Sequence, residues 1–148
     1  MKTPVRCHKL IYLLTFCFVI ALSAIILLAD RGRLPGLVYR LYAFPGGDKV
    51  GHVLLMGGLA LLLNLCFIGR SMAILGQRVP LGGALAASIV LIEEISQLGF
   101  HSRTFSWVDL GCSLLGVMCA NLIVSRISYG RSAANHQAEH GAKLTTDR

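Results

Sequence analysis

The sequence predicts an all-α integral membrane protein, an antiparallel bundle of four transmembrane helices with a short interfacial helix after the first. Three observations carry this prediction. The 148 residues are 55% hydrophobic and only 14% charged, whereas a soluble domain carries about 25% charged residues. Mean hydropathy is +0.67. The hydrophobic residues also fall in four separate runs rather than being spread along the chain. This composition argues against a soluble globular enzyme and against a disordered chain.

The four apolar runs cover residues 10–29, 50–68, 81–100 and 107–127. Each is close to the length at which a helix spans the roughly 30 Å hydrocarbon core of a bilayer. The first run follows basic residues and could be a signal peptide, but it is longer than the roughly 7–15 apolar residues of a signal sequence. We therefore expect an uncleaved first span.

Between the first two spans, hydrophobic residues recur at helical spacing within residues 30–48. They predict a short helix in the membrane interface, with an ordinary loop as the alternative. Residues 129–148 are polar and lack apolar periodicity, so we expect a mobile cytoplasmic tail. We treat residues 1–148 as one domain.

Basic residues predict the orientation. With four spans, one side of the membrane holds both termini and the loop between spans two and three. That side carries nine of the 14 basic residues: Lys2, Arg6, Lys9, Arg70, Arg78, Arg126, Arg131, Lys143 and Arg148. The positive-inside rule then places both termini in the cytoplasm of a bacterial-type inner membrane. Because the basic residues flank apolar runs, we interpret them as topology signals and expect no nucleic-acid partner.

The five cysteines form no CxxC or zinc-binding spacing, and we expect no disulfide framework. Cys112, Gly116 and Ala120 recur every four residues in the fourth span. This small-residue face would let another helix approach closely.

The acidic residues indicate where a polar site lies. A charged group in hydrocarbon costs about 2.5–3.5 kcal/mol on insertion scales, so such groups face a partner, a cavity or the boundary. Threading four helices brings several of these groups to one depth, at the outer side. The predicted cluster is Asp48, Lys49, His52, Glu93, Glu94, Gln97, His101, Arg103 and Asp109.

Spacing suggests roles within this cluster. His52 and Glu94 are candidates for proton transfer, and Arg103 is suited to hold an anion or to neutralise Glu94. Asp48 is four residues from His52 and could orient it. Either Glu93 or Glu94 could flank Gln97, and we expect Glu93 to be the less important acid.

The alternatives remain open at this point. A Glu94–Arg103 pair could serve only to fix helix packing. His52, Glu94, His101 and Asp109 have the composition of a metal site but follow no ligand motif, so we predict neither a metal nor another cofactor.

The motif residues resemble the VanZ-like membrane protein family. The resemblance lies in Asp48-Lys49-Val50-Gly51-His52, then Glu94-Ile95-Ser96-Gln97, then Arg103 followed six residues later by Asp109-Leu110. It covers residues 48–116 and includes a compatible first span. The family often has Asn where Ser113 stands, which weakens any role assigned to that amide.

The resemblance implies an association with resistance to the glycopeptide teicoplanin, and it leaves open whether the chain is an enzyme. The chain shows no acyl-CoA or nucleotide signature, so a phosphotransbutyrylase label is not adopted. An outer polar site would suit binding or modification of an anionic, lipid-linked cell-envelope precursor. One alternative is a non-enzymatic membrane module whose polar network sets helix packing. Another is a small transporter, but the sequence contains no repeat or broken helix that would support it. The sequence does not predict the oligomeric state.

Overall fold

A computed structural model of the chain describes the backbone of residues 5–33, 35–36, 40, 43–74, 76–99 and 105–146. Within those ranges it describes side chains between residues 8 and 127, Asp30 excepted. The fold is mostly helical. Its four long helices are α1 (Val5–Asp30), α2 (Gly47–Cys66), α3 (Leu81–Ser96) and α4 (Trp107–Thr146). A hairpin of strands β1 (Ser71–Ile74) and β2 (Gln77–Pro80) precedes α3, and a 3-10 turn (Gln97–Gly99) follows it.

Four helices are long and apolar enough to cross a membrane, and they coincide with the four predicted spans. They are His8–Ala29, Gly47–Cys66, Leu81–Gly99 and Trp107–Ile127. Many of their large hydrophobic side chains point away from the protein, including Phe16 at 64% exposure and Ile92 at 68%. Such surfaces are unfavourable in water and suit contact with lipid tails. The prediction of a multi-pass helical membrane protein is therefore confirmed.

Helix α2 lies at the centre of the arrangement, where it contacts α1, α3 and α4. Contacts between α2 and α4 occur in the same order along both helices, from Lys49–Asp109 and His52–Ser113 to Asn64–Asn121. The two helices therefore run parallel, although helices that follow each other in the chain are antiparallel. The apolar core between the helices contains Leu59, Ala60, Ala86, Val90, Val117 and Ala120.

The α2–α4 contact is close because small residues face each other. A Cβ added to Gly116 would meet the carbonyl oxygen of Val53 and lie 3.0 Å from the backbone nitrogen of Gly57. Gly116 and Ala120 are both buried. The small-residue face predicted for the fourth span is therefore the surface on which α2 packs.

The hairpin was not predicted, since residues 69–80 were interpreted as a simple loop. Strand β1 pairs antiparallel with β2, with Met72 opposite Val79 and Ala73 opposite Arg78. Gly76 in the turn has a φ of +77°, a backbone conformation that glycine adopts without steric cost.

Two other predictions concern the polar C-terminal segment and the interfacial helix after α1. The polar end, expected to be a mobile tail, has a helical backbone through Thr146. No proline interrupts residues 107–146, and extending an existing helix requires no new nucleus.

The predicted interfacial helix depends on Leu34, Leu37, Val38, Leu41 and Tyr42, all of which lie outside the described residues.

Candidate polar site at one end of the bundle

Polar side chains gather where α2 and α4 begin and α3 ends. At this end Lys49 joins the first turns of α2 and α4, because its Nζ lies 2.9 Å from Asp48 Oδ2 and 3.9 Å from Asp109 Oδ1. Asp109 is the less exposed of the two acids, at 22% against 57% for the side chain of Asp48. The predicted meeting of Asp48, Lys49 and Asp109 is thus present in the structure.

His52 is held by α4 rather than by Asp48. Its Nδ1 lies 3.1 Å from the hydroxyl oxygen of Ser113, and Ser113 is fully buried at 1% exposure. Asp48 hydrogen-bonds to Lys49, so the prediction that Asp48 orients His52 is wrong. The reason is geometric: the imidazole faces the neighbouring helix, while the carboxylate stays at the exposed end of its own helix.

Ser113 is also the position at which the sequence departs from the VanZ-like pattern. Its hydroxyl can either donate to or accept from an imidazole nitrogen, depending on the tautomer of His52. Serine is therefore able to hold the ring of His52 in place here without a side-chain amide.

Ser106 connects the end of α3 to the start of α4. Its backbone N–H donates to Glu94 Oε1 at 2.8 Å, and its hydroxyl oxygen accepts the N–H of Asp109 at 3.3 Å. The second contact is an N-cap, because Ser106 precedes Trp107, the first residue of α4. Ser106 is not among the predicted site residues. The signal for its role was Ser-x-x-Asp just before an apolar run.

Glu94 is the most deeply buried acid of the site, at 1% exposure. Its Oε1 is fixed by Ser106, whereas its Oε2 is buried without a hydrogen-bond partner among the residues the structure describes. A buried carboxyl oxygen normally has a hydrogen-bond partner. Burying such an oxygen without a partner destabilises the fold by about 1–3 kcal/mol, and by more when the group is charged. Within the described part of the site, this oxygen therefore lacks the hydrogen-bond donor that a buried carboxyl oxygen normally has.

Glu93 is also buried and hydrogen-bonded, and its expected lesser importance stays a prediction. Its side chain is buried at 8% exposure, and its Oε1 accepts a hydrogen bond of 2.7 Å from Gln97 Nε2. Of the two acids that could flank Gln97, the structure selects the one four residues away, which lies on the same helical face. Gln97 itself is 3% exposed.

Arg103 and His101 lie outside the described residues. The pairing of Arg103 with Glu94 or with an anion therefore stays a prediction. Within the described part of the chain, no group of three or more His, Cys, Asp or Glu residues could hold a metal ion.

A second polar contact lies at the other end of the α2–α4 interface. Asn64 Nδ2 donates to Asn121 Oδ1 at 2.7 Å, and Asn64 Oδ1 accepts the backbone N–H of Gly83 at 2.8 Å. These asparagines tie three helices together. Sequence reasoning missed them, although an amide inside an apolar run is itself a signal for interhelical hydrogen bonding.

The site as described combines a buried carboxyl group, an imidazole held by a hydroxyl, and an ammonium shared by two carboxylates. These groups can bind a polar ligand and exchange a proton with it. In comparisons with protein-family models, with curated proteins and with solved structures, no match was found.

Proposed function

We propose that the chain is a VanZ-like inner-membrane protein whose outward-facing polar site binds, and acts on, an anionic lipid-linked cell-envelope precursor. The observation that carries the proposal is the buried carboxyl group of Glu94. Structural acids in hydrocarbon are normally neutralised or fully hydrogen-bonded, but the described residues leave Glu94 Oε2 without a partner. A hydroxyl or amide of a substrate would supply the missing hydrogen bond.

The surrounding residues support distinct roles. Glu94 accepts a proton from the substrate, while Ser106 fixes its other oxygen. His52, oriented by Ser113, serves as the second proton-transfer group, and Arg103 meets the anionic group. Gln97 orients Glu93, and Lys49 keeps the first turns of α2 and α4 together through Asp48 and Asp109.

The distribution of basic residues supports an outward-facing site. The side that carries both termini in a four-span bundle holds nine of the 14 Lys and Arg residues. The polar site lies at the opposite end, where α2 and α4 begin. Under the positive-inside rule this end faces the envelope, where lipid-linked precursors with anionic groups are exposed.

A Glu94→Gln variant tests the proposal. Glutamine retains an oxygen to accept the Ser106 N–H and preserves side-chain volume, but it cannot take up a proton at physiological pH. We expect the variant to accumulate in membranes at the wild-type level. We also expect it to lose teicoplanin protection in a susceptible host, and to retain about tenfold less lipid-linked precursor on purification, measured by mass spectrometry.

The matched control is Glu139→Gln, which makes the same chemical change in the polar C-terminal part of α4. It should behave as wild type. Wild-type protection and precursor retention by Glu94→Gln would contradict the proposal. A loss that merely follows the amount of folded protein would instead favour a structural role for Glu94.

A structural module is the second candidate, and one observation favours it. The contacts His52–Ser113, Gly57–Gly116 and Asn64–Asn121 form a continuous series along α2 and α4. Such a series is sufficient to fix the relative position of two helices in a membrane. In this case the polar groups would specify packing and partner contacts, without chemistry.

A further inference from the structure

A cavity lies at the end of the bundle opposite the polar site. It has a volume of about 230 Å³ and lies between the end of α2, the base of the hairpin and the region of α4 near Ser125. Arg70, Ser71 and Arg78 line it from the hairpin side, and Asn64 lines it from α2. The cavity is thus a feature of the folded helices and hairpin, distinct from the residues around Glu94.

The register of the hairpin determines which side chains reach this cavity. Ser71 is opposite Pro80, and both line the cavity. Met72 is opposite Val79, and both line an apolar groove between α3 and α4 instead. Because successive side chains of a strand point to opposite faces, the hairpin has a polar face with Arg78 and an apolar face against the helices.

No described residue compensates the positive charge of the cavity. Two guanidinium groups line it, no carboxylate among the described side chains does, and neither Arg70 nor Arg78 forms an ion pair with a described residue. Asn64 does not compensate them, because both its amide nitrogen and its oxygen are engaged with Asn121 and Gly83. The remaining polar donors, the hydroxyls of Ser71 and Ser125, suit an anion.

The depth of the cavity indicates which anion. It lies where α2 ends at Cys66 and α3 begins at Leu81, which is the level of the lipid headgroups for helices that span the hydrocarbon core. Apolar side chains of Phe67 and Val124 complete its wall. Basic pockets between membrane helices bind phosphate-bearing headgroups, and guanidinium groups contact phosphate oxygens in bidentate fashion.

We propose that the cavity bordered by Arg70 and Arg78 binds a phosphate group at the membrane surface. The two sources of such a group are the headgroup of an anionic phospholipid and free inorganic phosphate. This site is independent of the proposed function, since it shares no residue with the polar site around Glu94.

The test uses the full chain and a double variant, Arg70→Gln/Arg78→Gln. In the lipid arm, the protein is held in nanodiscs, and native mass spectrometry measures retention of phosphatidylglycerol against phosphatidylcholine. In the phosphate arm, the protein in a phosphate-free neutral detergent is titrated with inorganic phosphate and its thermal unfolding is followed. We expect the wild type to show preferential retention or stabilisation in one of the two arms, and the arm that responds identifies the source of the phosphate group. In that arm, we expect the lipid retention or the affinity for phosphate of the double variant to be about tenfold lower than that of the wild type.

Two further variants keep the result interpretable. Arg31→Gln/Arg33→Gln removes the same charge from the other side of the bundle and should behave as wild type. Arg70→Lys/Arg78→Lys keeps the charge but not the bidentate fork, and should fall between the wild type and the glutamine variant. The proposal is overturned if the wild type responds in neither arm, if the glutamine variant matches the wild type, or if Arg31→Gln/Arg33→Gln causes an equal loss.

Discussion

Glu93 and Glu94 are adjacent in the sequence but have different hydrogen-bond partners. Neighbouring positions on a helix point about 100° apart. Glu93 therefore contacts Gln97 on its own helical face, whereas Glu94 reaches the backbone of Ser106 at the start of α4. The sequence predicted that both acids lie at the same depth, but their partners depend on the rotation of α3, which is determined by packing.

The hydrogen bond between His52 and Ser113 is expected to stabilise the bundle. In a Ser113→Ala variant the imidazole loses this partner inside the bundle, and we expect the free energy of unfolding to fall by about 0.6–1.7 kcal/mol. Unfolding in a mixed-micelle titration measures the change. A Ser113→Asn variant, which carries the residue common in VanZ-like proteins, should retain more of the stability because its amide can also bond to the ring.

The matched control is Ser88→Ala. Ser88 is exposed on α3, and its hydroxyl bonds only to the carbonyl of Ala84 one turn earlier in the same helix. Its removal should leave stability nearly unchanged. An equal effect of the two alanine variants would show that the His52–Ser113 hydrogen bond does not stabilise the bundle.

At the scale of the elements, the close approach of α2 and α4 is the main packing feature. Helix association in lipid depends on van der Waals contact and interhelical hydrogen bonds, because lipid tails are as apolar as the side chains. Glycines at the point of contact allow backbone to lie against backbone, as between Gly57 and Gly116. Larger side chains at this point would separate the two helices.

A Gly116→Ala variant tests this contact. The added methyl group would meet backbone atoms of Val53 and Gly57, which cannot move aside as a flexible side chain can. We expect a loss of about 1–3 kcal/mol in the free energy of unfolding, as for other overpacked sites. Thermal unfolding in detergent, followed by circular dichroism, measures it.

Gly111→Ala is the corresponding control on the same helix. A Cβ at Gly111 meets nothing within 4 Å, so the substitution should be neutral or stabilise the helix by up to about 1 kcal/mol. Wild-type stability of Gly116→Ala would mean that the α2–α4 contact is looser than described.

The elements themselves could be predicted to different extents. The four spans follow from the lengths of the apolar runs, and the structure confirms them. The hairpin could not be separated from a loop, since its strands have only four residues each. The helical end of α4 was missed because a polar segment without an apolar face offers no periodicity to detect, even though its composition permits a helix.

For the whole molecule, the polar groups are divided between the two ends of the bundle. One end carries Lys49, His52 and the buried acids, and the other carries the cavity with Arg70 and Arg78. The sequence predicted the first of these clusters from the depth of its residues. It did not predict the second, because basic residues in a short loop were assigned to topology alone.

The orientation of the molecule is predicted from the positive-inside rule and can be tested with reporter fusions. A fusion after Arg40 should report the external side of the membrane, and a fusion after Arg78 should report the cytoplasm, because basic residues near span ends are retained inside. Alkaline phosphatase and green fluorescent protein provide complementary readouts. A cytoplasmic Arg40 would contradict the envelope-facing site.

The parallel pairing of α2 with α4 has a consequence for biogenesis. His52 and Asn64 enter the bilayer with the second helix, but their partners Ser113 and Asn121 belong to α4, which is synthesised later. Until that helix is inserted, an imidazole and an amide remain unsatisfied in lipid or bound to substitutes. Insertion of α4 is therefore the event that closes the bundle. A truncation before residue 107 would leave a species suited to recognition by membrane quality control.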